Sequence, residues 1–256
     1  MLIPMRQSRL QELLAKRGMS DLDTLAAELR VSQSTVRRDV EQLEQRGLVT
    51  RTHGGVIWIG DRDKPEARPY AFDQRMNVQV DPKKQIARAA AQLVSPGETV
   101  LIDGGTTTFY LAQELLGQSL QLVTNSLPIA NLFLNDDHVE LILSGGLMYP
   151  RYGVLLGPTA ENVLSHIHAK TLFLSVAGVN GGILYNQNLL LVQAEQKMMQ
   201  QAQRIVLLVD SGKFGQQALA KLCDLKEIDT VVVDSALSEE HRAAVRAAGC
   251  ELIVGE

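Results

Sequence analysis

Leu25-Ala26-Ala27-Glu28-Leu29-Arg30-Val31-Ser32-Gln33-Ser34-Thr35-Val36-Arg37-Arg38-Asp39 is the stretch whose reading decides the architecture. It reads as two short helices around a tight turn, with the layout of a helix-turn-helix. The second helix of that motif lies in the DNA major groove and reads base edges with its N-terminal residues. Ser32 is a suitable N-cap, because its side-chain oxygen satisfies a backbone N–H of the first turn. Val36, Val40 and Leu43 recur at helical spacing and are expected to face a core. Gln33, Ser34, Thr35, Arg37 and Arg38 are then left outward near the helix start, as amides, hydroxyls and guanidiniums available for readout. Asp39, beside the two arginines, is expected to orient an arginine or pair within the domain.

The flanking sequence extends the motif. Leu10, Leu13 and Leu14 mark an amphipathic first helix, and Gly47 suits the C′ position that ends the recognition helix. Leu48 to Ile59 reads as two short strands around Gly54-Gly55, a hairpin signal, and a hairpin after a helix-turn-helix makes a winged motif. Arg51 and His53 at its tip are candidates for phosphate or minor-groove contact. Residues 1–60 hold nine Lys/Arg against seven Asp/Glu, whereas the remainder carries a balance of −6. A locally basic module on an acidic body suits sequence-specific DNA binding.

Thr35-Val36-Arg37-Arg38-Asp39-Val40 followed by Arg51-Thr52-His53-Gly54-Gly55-Val56 resembles the signature of DeoR-type bacterial transcription regulators, with Val36 where isoleucine is usual and Val56 where alanine is usual. The resemblance runs over nearly the whole chain. It places the recognition helix over residues 33–46, in agreement with the residue-level reading. It also suits a start near Met5-Arg6, with Met1 to Pro4 as an unstructured lead or the product of a misassigned start codon.

Composition sets the remaining bounds. A chain of 256 residues with 45% hydrophobic and 21% charged residues has room for one small and one substantial globular domain. No apolar run approaches the roughly 18 residues of a membrane helix, and Met1-Leu2-Ile3-Pro4 lacks a signal peptide's apolar stretch. Cys223 and Cys250 stand alone, as small buried hydrophobes of a reducing compartment do. Cytoplasmic localisation is expected, with no membrane association. His166 and His168 fall on different faces of a helix, so no metal site is expected, and no cofactor signature is present.

Gly60 to Pro69 is charged, carries two prolines and has no periodicity, which reads as a linker. Asp81-Pro82 then makes a helix start, with Ile86, Ala89, Ala90 and Leu93 as its apolar face. Short apolar runs follow at 99–103, 120–124, 139–144, 171–177, 204–209 and 230–233, with helical stretches around 109–116, 127–134, 190–202 and 239–248. That alternation argues an α/β domain with a mainly parallel sheet covered on both faces. Ligands of such sheets sit at the carboxyl ends of the strands. The glycine and hydroxyl residues gather there: Asp103-Gly104-Gly105-Thr106-Thr107-Thr108, Thr124-Asn125-Ser126, Ser144-Gly145-Gly146, Gly178 to Gly182, and Asp210 to Gly215. The first opens a helix N-terminus, which suits a phosphate or carboxylate.

The organisation expected is a winged helix-turn-helix over 1–60, a linker over 61–75 and an α/β effector-binding domain over 76–256. The family resemblance implies that this second domain is folded like ribose-5-phosphate isomerase and senses small metabolites, usually phosphorylated sugars. It places phosphate binding at Gly105, Thr106 and Thr107, sugar-hydroxyl contacts at Asp103 and Asn125, and a contact to the ligand's charge or carbonyl at Lys213. Gly104, Thr124, Ser126, Gly145 and Gly146 complete the candidate pocket. Two departures from the family pattern, Lys170 for an acidic residue and Gln193 for glutamate, bear on effector identity. The function expected is a metabolite-responsive DNA-binding regulator, a repressor acting as a dimer or tetramer on a double-stranded operator, without enzymatic activity. The alternative is a sugar-phosphate isomerase-like enzyme carrying an attached DNA-binding module.

Overall fold

The computed structural model describes residues 3–17, 19–45, 48–52, 55–58 and 72–256. These fall into two compact units, one ending at Trp58 and one beginning at Phe72. The first contains α1 (Ile3–Arg17), β1 (Met19–Ser20), α2 (Leu22–Leu29), α3 (Gln33–Gln45), β2 (Val49–Thr52) and β3 (Gly55–Trp58). Asp21 caps α2 by accepting the Thr24 N–H at 2.7 Å, and Arg30 closes that helix in the left-handed conformation. Ser32 accepts the Thr35 N–H at 3.3 Å, the expected cap of α3. Val36, Val40 and Leu43 are buried with Leu10, Leu14, Leu25, Leu29, Leu48, Val49 and Val56 in one core. The helical spacing of the valines therefore finds its partner in α1 and α2. β2 and β3 form the expected antiparallel wing, with Val49 opposite Trp58 and Thr52 opposite Gly55, and β1 adds to the far edge of β3. Gly55 is required there: a Cβ on it would lie 2.6 Å from the Ser20 carbonyl oxygen. Gly47, His53, Gly54 and the linker as far as Ala71 lie outside the described residues.

The second unit begins with α4 (Phe72–Met76) and α5 (Val80–Ala91). It continues through β4 (Thr99–Ile102), α6 (Thr106–Glu114), β5 (Leu120–Thr124), α7 (Leu127–Leu132) and β6 (Val139–Leu143). Then come β7 (Leu147–Tyr149), β8 (Val154–Leu156), α8 (Pro158–Leu164), β9 (Ala169–Leu174), β10 (Gly178–Asn180), β11 (Ile183–Asn186) and α9 (Leu189–Met199). The chain closes with β12 (Ala202–Leu208), β13 (Ala220–Asp224), β14 (Thr230–Asp234), α10 (Glu239–Ala247) and β15 (Glu251–Gly255). The main sheet has the order β15-β14-β12-β9-β4-β5-β6, and every pairing in it is parallel.

Alternation along these strands separates two cores. Val100, Ile102, Phe173, Val206, Leu208 and Val232 meet α5, α6 and α7 on one face. Leu101, Leu172, Leu174, Leu207, Val231 and Val233 meet α8, α9 and α10 on the other. Strands apolar on both sides are what a doubly covered parallel sheet demands. From β4 the chain moves outward to β5 and β6, then returns to place β9 on the other side of β4. The order reverses at the β4–β9 junction, a topological switch point where the carboxyl ends of the strands leave a crevice.

Three local expectations are corrected. Ile3 and Pro4 are not an unstructured lead but the first residues of α1. Helix α5 begins at Val80 rather than after an Asp81 cap, with Gln79 left-handed at its N-cap and making no side-chain cap. Gly181 and Gly182 do not end a strand of the main sheet. Both have positive φ and form the two-residue turn of the β10–β11 hairpin, where glycine is favoured.

Candidate functional site

On the first unit, Gln33, Ser34, Arg37 and Arg38 are exposed on α3 and Thr35 is half-buried. Among the described residues, neither Arg37 nor Arg38 forms an ion pair, whereas Gln33 donates to Asp23 at 2.9 Å. Asp39 turns the other way. It is buried and takes Arg6 Nε at 2.5 Å and Nη2 at 3.0 Å, a bidentate pair that joins α3 to α1. Its arginine is Arg6, not the adjacent Arg37 or Arg38. Arg51 is engaged as well: Nε meets Glu44 at 2.7 Å and Nη1 meets Glu41 at 3.1 Å. Contact with a phosphate there requires exchange of these partners.

On the second unit, the carboxyl ends of β4, β5, β9 and β12 gather Asp103 to Thr107, Thr124 to Ser126, Ser175 and Asp210 to Lys213. Thr108 closes the β4–α6 turn, its hydroxyl accepting the Gly105 N–H at 2.8 Å and donating to the Asp103 carbonyl at 2.7 Å. Helix geometry leaves the N–H groups of Thr106 and Thr107 without intrahelical acceptors. Gly104 and Gly105 are needed for close packing: Cβ atoms there would lie 2.1 Å from Val154 Cγ1 and from Ser175 Oγ respectively. Thr124 donates to the Ile102 carbonyl at 2.7 Å and accepts the Ser126 N–H at 3.0 Å, while Ser126 caps α7. These two hydroxyls hold the turn, and the residue between them is held out of it. Asn125 is 1% exposed; its amide faces the Asp103 carboxyl, and among the described residues neither its oxygen nor its nitrogen makes a hydrogen bond of good geometry.

The surroundings of Asn125 are strongly charged. Burial raises the Asp103 carboxyl to about 6, against the Gly104 and Ser175 N–H groups, the Arg75 charge and the nearby Asn125 amide, all of which favour the ionised form. Glu195 on α9, 2% exposed, is raised well above the usual carboxylate range by burial and by Asp103; it accepts from Asn186, and its second oxygen has no partner. Arg75 acts on Asp103, and Lys83 stands near Arg75, Asp210 and Lys213. Burial lowers Lys83 to about 8, with Arg75 and Lys213 adding repulsion and Asp210 opposing, and its Nζ donates to the Arg75 and Val78 carbonyls at 2.6 Å each. Arg75 lies 4.8 Å from the centre of the Tyr152 ring, and its Nη1 is buried without a partner.

The structure thus brings together Asp103 to Thr107, Asn125 and Lys213, and adds Arg75, Lys83 and Glu195, which sequence reasoning did not select. Gly145 and Gly146 follow the edge strand β6 next to the cluster, where the Ser144 N–H donates to the Thr124 carbonyl at 3.0 Å, but they bring no polar side chain to it. Both have positive φ, and a Cβ on Gly146 would lie 2.7 Å from the Leu156 carbonyl oxygen, so glycine there is explained by the turn. The departures from the family pattern fall outside the cluster. Lys170 pairs with Glu98 at the amino ends of β9 and β4, and Gln193 is exposed on α9. A separate cleft of about 380 Å³ is lined by Gly181, Gly182, Phe214, Glu240 and His241 among others, and none of the unpartnered groups borders it. Among the described residues no group of His, Cys, Asp and Glu is arranged to hold a metal ion, and no helix is long and apolar enough to cross a membrane.

Comparison with known proteins adds an independent line. Residues 6–61 match the family model of the DeoR-like helix-turn-helix domain, and residues 78–235 that of the DeoR C-terminal sensor domain. The chain is 33% identical over 249 residues to the HTH-type transcriptional regulator UlaR of Shigella dysenteriae serotype 1, covering 97% of each protein. It is 32% identical over the same length to its counterpart in Escherichia coli strain K12 / DH10B. Among solved structures, ribose 5-phosphate isomerase A of Methanocaldococcus jannaschii aligns with 53% of this chain and 54% of its own, at 18% identity and a TM-score of 0.39. With matches over both of its units and along nearly its full length, the chain belongs to the DeoR family of helix-turn-helix transcriptional regulators.

Proposed function

We propose that the chain is a repressor that holds a double-stranded operator through α3 and the wing and releases it when a phosphorylated small metabolite, a sugar phosphate in class, occupies the crevice at the β4–β9 junction. The observation that carries this reading is Asn125: both amide atoms are buried and, although the amide faces the buried Asp103, neither makes a hydrogen bond of good geometry among the described residues. Leaving such a group unsatisfied costs about 1–3 kcal/mol, which a ligand hydroxyl donating and accepting there recovers. Thr106 and Thr107 at the N-terminus of α6, with Gly105 before them and Lys213 opposite, supply N–H groups and positive charge for the phosphate. Gly104, Thr124 and Ser126 shape the crevice without contacting the ligand. Gly145 and Gly146 act in the β6–β7 turn.

On the DNA side, Gln33, Ser34, Thr35, Arg37 and Arg38 are the readout face, and Arg51 and His53 serve the backbone from the wing. The protein works as a homodimer or tetramer on paired half-sites, in the cytoplasm where the operator is. We read the crevice as a sensor rather than a catalyst, since its cations and amide hold an anion and hydroxyls. Ribose 5-phosphate and related sugar phosphates are expected to bind without turnover.

A thermal-shift screen of the full chain against sugar phosphates tests the reading. A raised melting temperature that the Asn125→Leu variant fails to show supports it. No shift with any phosphorylated metabolite, or product formation that Lys213→Ala abolishes, contradicts it.

A further inference from the structure

The sequence Phe72-Asp73-Gln74-Arg75-Met76 reads as the end of a linker, yet it folds as α4 on the sensor unit. Phe72 stands edge-on to Phe109 of α6 with ring centres 5.4 Å apart, and Tyr110 of the same helix donates to the Met76 carbonyl at 3.2 Å. Lys83 holds the following turn through the Arg75 and Val78 carbonyls. Helix α4 is thus seated on the helix whose first turn opens into the crevice. Its arginine reaches inward. The Arg75 guanidinium lies over the Tyr152 ring, itself stacked on Tyr149, close enough to Asp103 for the two charges to interact. Tyr152 and Asp103 attract the guanidinium, yet Nη1 is buried with no acceptor among the described residues. A guanidinium presents its N–H groups in a fixed fork suited to two oxygens of a phosphate or carboxylate.

We propose that Arg75 contacts the anionic group of the ligand through its unpartnered nitrogen and thereby fixes α4, making the first described element after the connecting segment the one that registers occupancy. This rests on the crevice being an anion site. It goes further in naming a residue outside the family motifs and in assigning it two tasks. An anion bridging Arg75 and the N-terminus of α6 ties α4 to the crevice wall. The chain that leads back toward β3 of the first unit leaves from the N-terminal end of α4, three residues before Arg75. Occupancy then shifts an equilibrium of α4 itself, because the bound anion favours the docked helix over the loosened one.

The test uses the full chain with inorganic phosphate as the probe, sodium chloride of equal ionic strength as the control, and amide hydrogen exchange read by mass spectrometry. In the wild type, phosphate is expected to slow exchange in two segments, 72–83 and 105–110. In Arg75→Gln, which keeps length and polarity, protection at 72–83 disappears and phosphate affinity falls about tenfold or more, the worth of one charge-assisted hydrogen bond. Arg75→Lys restores part of the affinity, because it returns the charge without the fork. Protection at 105–110 without any at 72–83 in the wild type keeps the anion site and overturns the role of Arg75. Equal protection at 72–83 in wild type and Arg75→Gln overturns it too. Protection at neither segment overturns the anion site and this inference together.

Discussion

In the DNA-binding unit the buried charge is answered from within: Asp39 receives both Arg6 nitrogens, and the polar groups that lack partners, Arg37 and Arg38, stand in solvent. In the sensor unit the situation is reversed. Among the described residues Asn125, Glu195 and Arg75 carry buried polar atoms without a hydrogen bond of good geometry, and so does Glu98 at the amino end of the sheet. The described part of the first unit answers its buried carboxylate internally and leaves the Arg37 and Arg38 cations exposed. The second holds three of its four unsatisfied side chains near the carboxyl ends of the strands, where we propose that its ligand binds. The contrast identifies where ligand energy is available, because a group unsatisfied in the fold gains most from a partner brought by a ligand.

The largest effect that breaks this comparison is expected at Asp39. Asp39→Ala leaves Arg6 unpaired in a mostly buried position and is predicted to destabilise the first unit by about 3–5 kcal/mol. Urea unfolding followed by the fluorescence of Trp58, the single tryptophan of the chain, reads that unit alone. A loss below 1 kcal/mol contradicts the description of Asp39 as the internal tie between α1 and α3.

A second prediction concerns pH. Asp103 has a folded pKa of about 6, above its unfolded value near 3.8. The folded state therefore holds the proton more tightly. The stability this contributes is fully present below pH 3.8, falls as pH rises through 6, and is level above that. At about 1.36 kcal/mol per pH unit the change is at most about 3 kcal/mol. The difference in unfolding free energy between wild type and Asp103→Asn, measured from pH 4 to 7.5, is expected to fall across that window. A difference independent of pH contradicts the burial argument.

The readout face gives the next effect. Arg37→Ala and Arg38→Ala are each predicted to weaken operator binding by about 1–3 kcal/mol if they reach base edges, with stability changed by less than about 0.5 kcal/mol since both are exposed. Where the contact is to phosphate, all sequences weaken alike and the salt dependence flattens. Unchanged operator affinity in a folded double variant contradicts the readout assignment. Arg51→Ala is expected to have the smallest effect on stability, below about 1 kcal/mol, because its pairs with Glu41 and Glu44 are exposed. Chemical denaturation of this variant checks it.

How much of this was legible in the sequence differs between the units for a physical reason. The helix-turn-helix is local: Val36, Val40 and Leu43 repeat at the spacing of one helix, and their core comes from helices adjacent in sequence. The six apolar runs expected as strands all entered the main sheet, because parallel strands buried on both faces have to be continuously apolar. The seventh, β15, is a five-residue edge strand at the chain end with no flanking signal. The crevice was half legible. Asp103, Asn125 and Lys213 follow strands and were found there. Lys83 and Glu195 lie on helices, where charged residues ordinarily face solvent. The overlooked signal was position: Lys83 shares a helical stripe with Ile86, Ala87 and Ala90, and Glu195 with Leu191, Val192 and Met198. A charge on an apolar stripe is a buried charge. Arg75 had no such signal, since five helical residues after a proline-containing charged segment show no period.

The central claim is that the sensor unit leaves Asn125 unsatisfied for the ligand, and Asn125→Leu tests it most directly. Stability and ligand response are measured together, by thermal unfolding of the full chain with and without the sugar phosphate that stabilises the wild type. The account predicts that the variant unfolds at the wild-type temperature or higher, by about 1 kcal/mol of stability, because it removes an unpaired buried amide, and that the ligand no longer shifts it. A variant that is several kcal/mol less stable, or one that responds to the ligand as the wild type does, contradicts it.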